Sequence, residues 1–264
     1  TNMRKLLLFA FAITLLLFIG CTAPKIRLFP SQADPLHEFT LEGEAQHKVL
    51  VIPVRGIISN VAREGFIRTR PSMVQEVVSQ LRLAEKDENI KAVIFKIDSP
   101  GGSVTASDIL YNEIMSFKER TGAKVVVAMM GLTASGGYYI SLPADYILAH
   151  PTTITGSIGV IFTRPRVTSL MHKVGIEVNV NKSGKNKDIG SPFRAATPEE
   201  EKIFQSLTDR LAVRFVDLVV RHRKLQPEII AEISSARVYL ANEALELGLV
   251  DEIGYLDKAV GQAK

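Results

Sequence analysis

Two hydrophobic patterns alternate along the middle of this chain. Lys48-Val-Leu-Val-Ile-Pro-Val-Arg-Gly-Ile-Ile58, Ala92-Val-Ile-Phe-Lys-Ile97 and Lys124-Val-Val-Val-Ala-Met-Met130 are short runs rich in β-branched residues, as buried strands are. Pro53 lacks the N–H that a ladder needs, so it marks the first run as an edge strand or a broken one. From Pro71 to Asp87, Val74, Val77, Val78, Leu81 and Leu83 fall near helical spacing, and a second helix is expected from about Thr105 to Arg120, closed by Gly122. Strand and helix in alternation predict an α/β body built on a parallel sheet with crossover helices. Farther on, Thr197-Pro198-Glu199-Glu200 reads as a helix start, with Thr as cap and Pro in the first turn, and the helical pattern runs to about Arg223. There is no internal repeat.

The N-terminal end follows neither pattern. Arg4 and Lys5 precede Leu6 to Gly20, fifteen residues without a charge. A basic start and an apolar run shorter than the roughly twenty residues of a bilayer span suit an export signal. Phe18-Ile19-Gly20-Cys21 resembles a bacterial lipobox, in which the cysteine is acylated and becomes the mature N-terminus; the other reading is an uncleaved signal anchor. Either places the body on a membrane, outside the cytoplasm. Lys25 and Arg27, just past the run, weigh against that orientation. Pro24, Pro30 and Pro35 interrupt the text that follows, so the expected organisation is a signal or anchor over 1–21, a tether over 22–47 and a folded body over 48–264.

Composition narrows the classes. At 264 residues, 46% apolar and 23% charged, the chain is neither disordered nor collagen-like nor a multi-span membrane protein. A net charge of +4 is too small and too scattered to indicate a nucleic-acid partner. Cys21 cannot form an internal disulfide, and one cysteine with five dispersed histidines makes no thiolate metal cluster.

Chemistry concentrates at two glycine-rich turns, each following an expected strand: Ser99-Pro100-Gly101-Gly102 and Thr133-Ala134-Ser135-Gly136-Gly137-Tyr138-Tyr139. Ligands of parallel sheets sit at the carboxyl ends of strands. A Gly-Gly pair lets backbone N–H groups face a site unobstructed, as an oxyanion hole requires, and a serine beside it is placed like a nucleophile. Such a serine needs a base. His37 and His47 lie in or beside the tether, and His150, His172 and His222 have no carboxylate pattern to orient them. The alternative is a neutral lysine, brought from about 10.4 to about 7 by its surroundings, and Lys182, Lys185 and Lys187 in the basic loop Asn181–Ile189 are candidates.

Four motifs together, Asp98-Ser-Pro-Gly-Gly102, Thr133-Ala-Ser-Gly-Gly-Tyr-Tyr139, Thr155-Gly-Ser-Ile-Gly159 and Lys182-Ser-Gly-x-x-Lys187-Asp-Ile, resemble the signal peptide peptidase A family. The likeness covers roughly Lys48 to Gly254, with 33 residues from Gly102 to Ser135, 22 more to Ser157 and 30 more to Lys187. It implies a Clp protease and crotonase-like fold, a spiral of β-β-α units with C-terminal helices, and a serine peptidase with a Ser/Lys dyad. By position it makes Ser135 the nucleophile, Lys187 the general base, Ser157 the group that positions the lysine amine, and the N–H groups of Gly102 and Gly136 the oxyanion hole. A single motif set resembles the half-length members, which implies a homo-oligomeric ring, sites shared between protomers, and hydrophobic peptides left in the membrane as substrates. Three other readings stand beside it. They are a peptidase of the same family that acts on a partner membrane protein, a crotonase-like acyl-CoA enzyme, and an inactive scaffold.

Overall fold

In the computed structural model of the chain, residues 36–64 and 69–264 are described. The expected signal or anchor segment, Cys21 and most of the tether lie outside these residues. Thr40–Lys264 form one compact unit.

In chain order this unit contains β1 (Lys48–Arg55), β2 (Arg63–Glu64), β3 (Thr69–Arg70), α1 (Met73–Ala84), β4 (Ile90–Ser99), α2 (Val104–Thr121), β5 (Lys124–Ala134) and α3 (Gly136–Tyr139). Then come β6 (Tyr146–Ala149), β7 (Ile154–Gly156), α4 (Thr168–Val174), α5 (Pro198–Arg223), α6 (Pro227–Ile233), β8 (Val238–Leu240), α7 (Ala241–Glu246), β9 (Glu252–Ile253) and α8 (Leu256–Ala263). The main sheet runs β1-β4-β5-β6-β9 with every pair parallel; β7 adds in parallel to the far end of β5, and β8 pairs antiparallel with β7. β2 and β3 form a separate antiparallel pair.

The strand runs are continuously apolar because both faces of the sheet are covered. Val93, Phe95, Ile97, Val125, Val127 and Met129 point into the larger core with Val77 and Leu81 of α1 and Leu110, Ile114 and Phe117 of α2. The alternate residues Ala92, Ile94, Val126 and Ala128 meet Ala259 and Ala263 of α8. Pro53 is tolerated because β1 is an edge strand, paired on one side with β4. Ser72, Ser103 and Thr197 cap α1, α2 and α5 with their hydroxyls, and Gly122 ends α2 at φ 65°. Among the described residues no helix is long and apolar enough to cross a membrane.

Two of the differences from the expected strand ends build the site. β1 stops at Arg55; Gly56 then turns the chain at φ 82°, and Ile58 returns to bridge Gly102. β5 runs beyond Met130 to Ala134. Its first part pairs with β6 and its last three residues with β7. Along β4 the register jumps from Ile97↔Met129 to Ser99↔Thr133, so the extra residues of β5 bulge outward. Asp98 Oδ1 accepts the Leu132 N–H at 3.0 Å and holds the bulge. The end of β5 is thereby re-aimed at the Gly101–Gly102 turn.

Candidate active site

Ser135 follows β5 directly, with φ 52° and ψ −121°. These are the angles of the first central residue of a type II′ turn, a place that favours glycine, and a side chain held there costs of order 1–3 kcal/mol. Two hydrogen bonds keep it there: the Ser135 N–H donates to Gly156 O at 2.8 Å, and its carbonyl accepts from Tyr139 N–H at 2.9 Å. Buried hydroxyls stitch the supporting strands: Thr133 Oγ1 donates to Ile97 O (2.9 Å), Thr155 Oγ1 to Thr133 O (2.6 Å) and Ser99 Oγ to Gly56 O (2.6 Å).

Three backbone segments crowd this serine. A Cβ on Gly102 would stand 1.9 Å from Ile58 O, and one on Gly101 2.6 Å from Gly136 N. A Cβ on Gly136 would stand 2.3 Å from Ser107 Oγ and 3.1 Å from Gly102 N. The glycines are therefore required by space. Ile58 N–H donates to Gly101 O (2.9 Å) and Ser103 N–H to Ile58 O (3.0 Å), so the alternation of the chain turns the intervening Gly102 N–H away from Ile58. Among the described residues neither the Gly102 nor the Gly136 N–H is matched to an acceptor. Two backbone donors thus stand free beside one hydroxyl, the arrangement that stabilises an acyl-transfer oxyanion.

Gly102, Ser135 and Gly136 form one side of a cleft whose apolar wall is Val104, Val160, Leu211 and Phe215, with Ser107, Tyr139, Gly159 and Arg214 completing it. Tyr139 packs against Phe215, ring centroids 4.8 Å apart. Its hydroxyl donates to Asp108 Oδ1 at 2.6 Å, as does Arg214 at 2.7 Å. Burial, with the neighbouring Asp108 carboxylate, pushes the Tyr139 phenol well above its ordinary range, so it stays a neutral donor. The side chains of α5 that line this wall, and Asp108 behind it, had no signature in the sequence beyond helical spacing.

No histidine lines this cleft. His222 bonds Tyr111 across 2.8 Å, and burial depresses its pKa; His150 bonds Thr152 and packs on Tyr255. Ser157 lies on the strand-end that receives the Ser135 N–H. It is half-buried with φ 51°, and its own N–H donates to Arg237 O at 2.8 Å.

Lys187 is elsewhere. It is exposed, on a turn where its N–H donates to Gly184 O (3.1 Å), and it does not line the cleft. The structure therefore gathers Ser135, Gly102 and Gly136 and leaves Lys187 apart from them. Its turn is anchored to the start of α5 through Arg194, which sequence reasoning passed over. Arg194 Nε and Nη2 donate to the two oxygens of Asp188 at 2.8 and 2.9 Å, and Lys182 Nζ donates to Oδ1 at 2.7 Å. Arg194 also donates to both oxygens of Glu200, at 2.9 and 2.5 Å, and Glu200 is only 3% exposed. Three glutamates in the first turn of α5 each take a cation: Glu199 from Lys185, Glu200 from Arg194 and Glu201 from Arg164. The acidic first turn was legible; its partners were not.

The Arg194 hydrogen bonds, with Lys182 at Asp188, hold the Asp188 carboxyl far below the usual carboxylate range; Arg194, with the Thr197 N–H, brings Glu200 down to about 2. Folded-state values below the unfolded ones mean that the clamp stabilises fully above the ordinary range of about 4 and loses that contribution as pH falls toward about 2. Amide protection of residues 182–196 is accordingly expected to fall between about pH 5 and 2 before that of β4 and β5. Equal retention in both regions would mean that something other than these carboxylates holds the turn.

The model of peptidase family S49 matches residues 118–264. The chain belongs to that family, the signal peptide peptidase A family. The Clp protease model matches residues 63–155. The chain is 32% identical over 238 residues to a putative signal peptide peptidase SppA of Enterococcus faecium, covering 90% of this chain and 69% of the relative. It is 41% identical over 176 residues to a putative protease of Methanocaldococcus jannaschii, covering 67% and 56%. To protease 4 of Salmonella typhi it is 38% identical over 185 residues, covering 70% of this chain and 30% of that one. Among solved structures, a ClpP1 mutant from Listeria monocytogenes superposes with TM-score 0.52 at 20% identity, covering 80% of this chain and 94% of the other, which establishes the Clp protease-like fold. This S49 chain is thus a serine peptidase on that fold, and the acyl-CoA reading falls away.

Proposed function

We propose that this S49 peptidase is a membrane-attached endopeptidase for hydrophobic peptides, with Ser135 as nucleophile and Lys187 of a neighbouring protomer as general base. The observation that carries the reading is Ser135 itself, held at a positive φ between two free backbone donors and facing an apolar wall. A neutral Lys187 amine takes the Ser135 proton as Oγ attacks the scissile carbonyl, and the N–H groups of Gly102 and Gly136 hold the oxyanion. The resulting ammonium protonates the leaving amine, and water then hydrolyses the acyl-enzyme by the same route. Ser157 is assigned to orient the lysine amine. The segment 1–21, with Cys21 as lipid anchor or as part of an uncleaved anchor, is assigned to hold the body at the extracytoplasmic face of a membrane, where remnant signal peptides are the natural apolar substrates.

Sharing between protomers, and with it a homo-oligomeric ring, is supported by the layout of α5. Its first turn binds the Lys187 turn through Glu200, whereas Leu211, eleven residues on, walls the Ser135 cleft. At 1.5 Å per residue those positions are about 16 Å apart along the helix. The Clp protease-like fold adds to this support.

The test mixes Ser135→Ala and Lys187→Ala chains, each expected to be inactive alone on a fluorogenic apolar peptide. Sharing predicts that mixed assemblies regain activity, at sites that combine an intact Ser135 with an intact Lys187. No recovery in mixed assemblies would put both groups of a site on one chain, and full activity of Lys187→Ala would move the base to another residue.

A further inference from the structure

The anchorage of the Lys187 turn is more elaborate than a surface loop needs. Exposed ion pairs contribute little by themselves, and Arg237, with one hydrogen bond to each of the exposed carboxylates of Glu232 and Glu243, is of that kind. Arg194 is different: four of its hydrogen bonds go to two carboxylates, one of them buried, and a fifth, at 3.3 Å, goes to the Asp188 backbone carbonyl. Planar, two-sided bonding of this sort fixes direction as well as distance. Asp188 is the residue after Lys187, so holding its side chain and its carbonyl fixes the backbone that carries the lysine. Glu200 in turn is locked by the Thr197 capping box, accepting the Thr197 N–H at 2.8 Å. The chain of contacts therefore runs from the lysine turn through Arg194 into the rigid end of a 26-residue helix.

A second consequence is electrostatic. Asp188 is the nearest carboxylate to Lys187 in sequence, and a free carboxylate beside a lysine favours the ammonium form, which cannot act as a base. Here the carboxylate is saturated by Arg194 and Lys182. Among the described residues, two further ion pairs tie this region to the first turn of α5: Lys185 with Glu199, and Arg164 with Glu201.

We propose that Arg194 is a positioning residue for catalysis: clamped between Asp188 and Glu200, it sets the Lys187 turn on α5 and keeps Asp188 from pairing with the base. The proposal rests on Lys187 being the base. It goes beyond that assignment by placing the control of the base in three residues, Asp188, Arg194 and Glu200, that do not line the Ser135 cleft.

The experiment uses the full, assembled chain and a fluorogenic apolar peptide, with kcat and KM measured across pH for Arg194→Met, Arg194→Lys, Asp188→Asn and the double variant Arg194→Met/Asp188→Asn. Misplacing a reacting group by about 1 Å costs roughly 10²-fold, so Arg194→Met is expected to lose between ten- and a hundredfold in kcat with KM unchanged. Its activity is also expected to rise at higher pH than the wild type, because Asp188, then held by Lys182 at Oδ1, has its other oxygen left to pair with Lys187. The double variant removes that carboxylate and is expected to return the rise to its wild-type position while kcat stays low; Arg194→Lys recovers part of kcat. An Arg194→Met enzyme with wild-type kcat and pH profile overturns the proposal. So does a loss of kcat that the double variant leaves at the same shifted pH. If Arg194→Met fails to assemble, Asp188→Asn carries the test, and an unchanged kcat there overturns it. Lys187→Ala, run alongside, separates the two failures: activity surviving in it refutes the base assignment, whereas activity lost in it but kept in Arg194→Met refutes only the positioning role.

Discussion

Ser135→Ala is expected to lower peptide hydrolysis by at least about 10⁴-fold, and Ser135→Gly to do the same while making the protein more stable. The first half follows from the role proposed for the Ser135 hydroxyl; the other serine that lines the cleft, Ser107, spends its proton on Ser103 O at 3.1 Å. The second follows from the backbone. With φ 52° and ψ −121°, Ser135 occupies a conformation whose strain is of order 1–3 kcal/mol for a residue with a Cβ, and glycine relieves it. Glycine's greater unfolded-state entropy takes back about 0.5–1 kcal/mol, leaving a net gain of about 1 kcal/mol, or roughly 2–4 °C in Tm for a domain of this size. Thermal unfolding of the three chains, measured beside their rates, checks both halves. A Ser135→Ala enzyme within tenfold of wild type would place the nucleophile elsewhere, and a Ser135→Gly chain that melts lower would show that the turn is not strained.

Gly102 and Gly136 should respond differently from each other, although the added methyl is the same. In Gly136→Ala the worst contact is Ser107 Oγ at 2.3 Å, a side-chain atom, so removing it in Ser107→Ala/Gly136→Ala is expected to restore part of the lost rate. In Gly102→Ala the obstacle is the Ile58 carbonyl, with its oxygen at 1.9 Å and its carbon at 2.6 Å, which no side-chain substitution removes. That variant is expected to break the Ile58–Gly102 bridge and to lose both activity and stability. Displacing one oxyanion donor typically costs about 3–4 kcal/mol, or 10² to 10³ in kcat, and sets the scale for Gly136→Ala. Rates and melting temperatures of the single and double variants test this; equal loss in Gly136→Ala and its double variant would mean that Ser107 is not the obstacle.

Much of this architecture could be read from local pattern, because the forces behind it act over a few residues. The runs at Lys48, Ala92 and Lys124 are strands because both faces of a parallel sheet need apolar side chains, and Thr197-Pro198 starts a helix because a hydroxyl cap and a residue without an N–H suit its first turn. The glycines beside Ser135 announced a backbone-lined site for the same reason: only glycine leaves that space open. Distances between segments carry no such local signal. Asp98 as the pin of the β5 bulge, the return of Ile58 to Gly102, the α5 wall of the cleft and the Arg194 clamp on Asp188 and Glu200 each join groups whose sequence separation says nothing of their meeting. Lys187 illustrates the difference most plainly. A motif names it, but its place on a turn bound to the first turn of α5, away from the cleft walled by the middle of that helix, follows from which carboxylates capture which cations once the chain has folded.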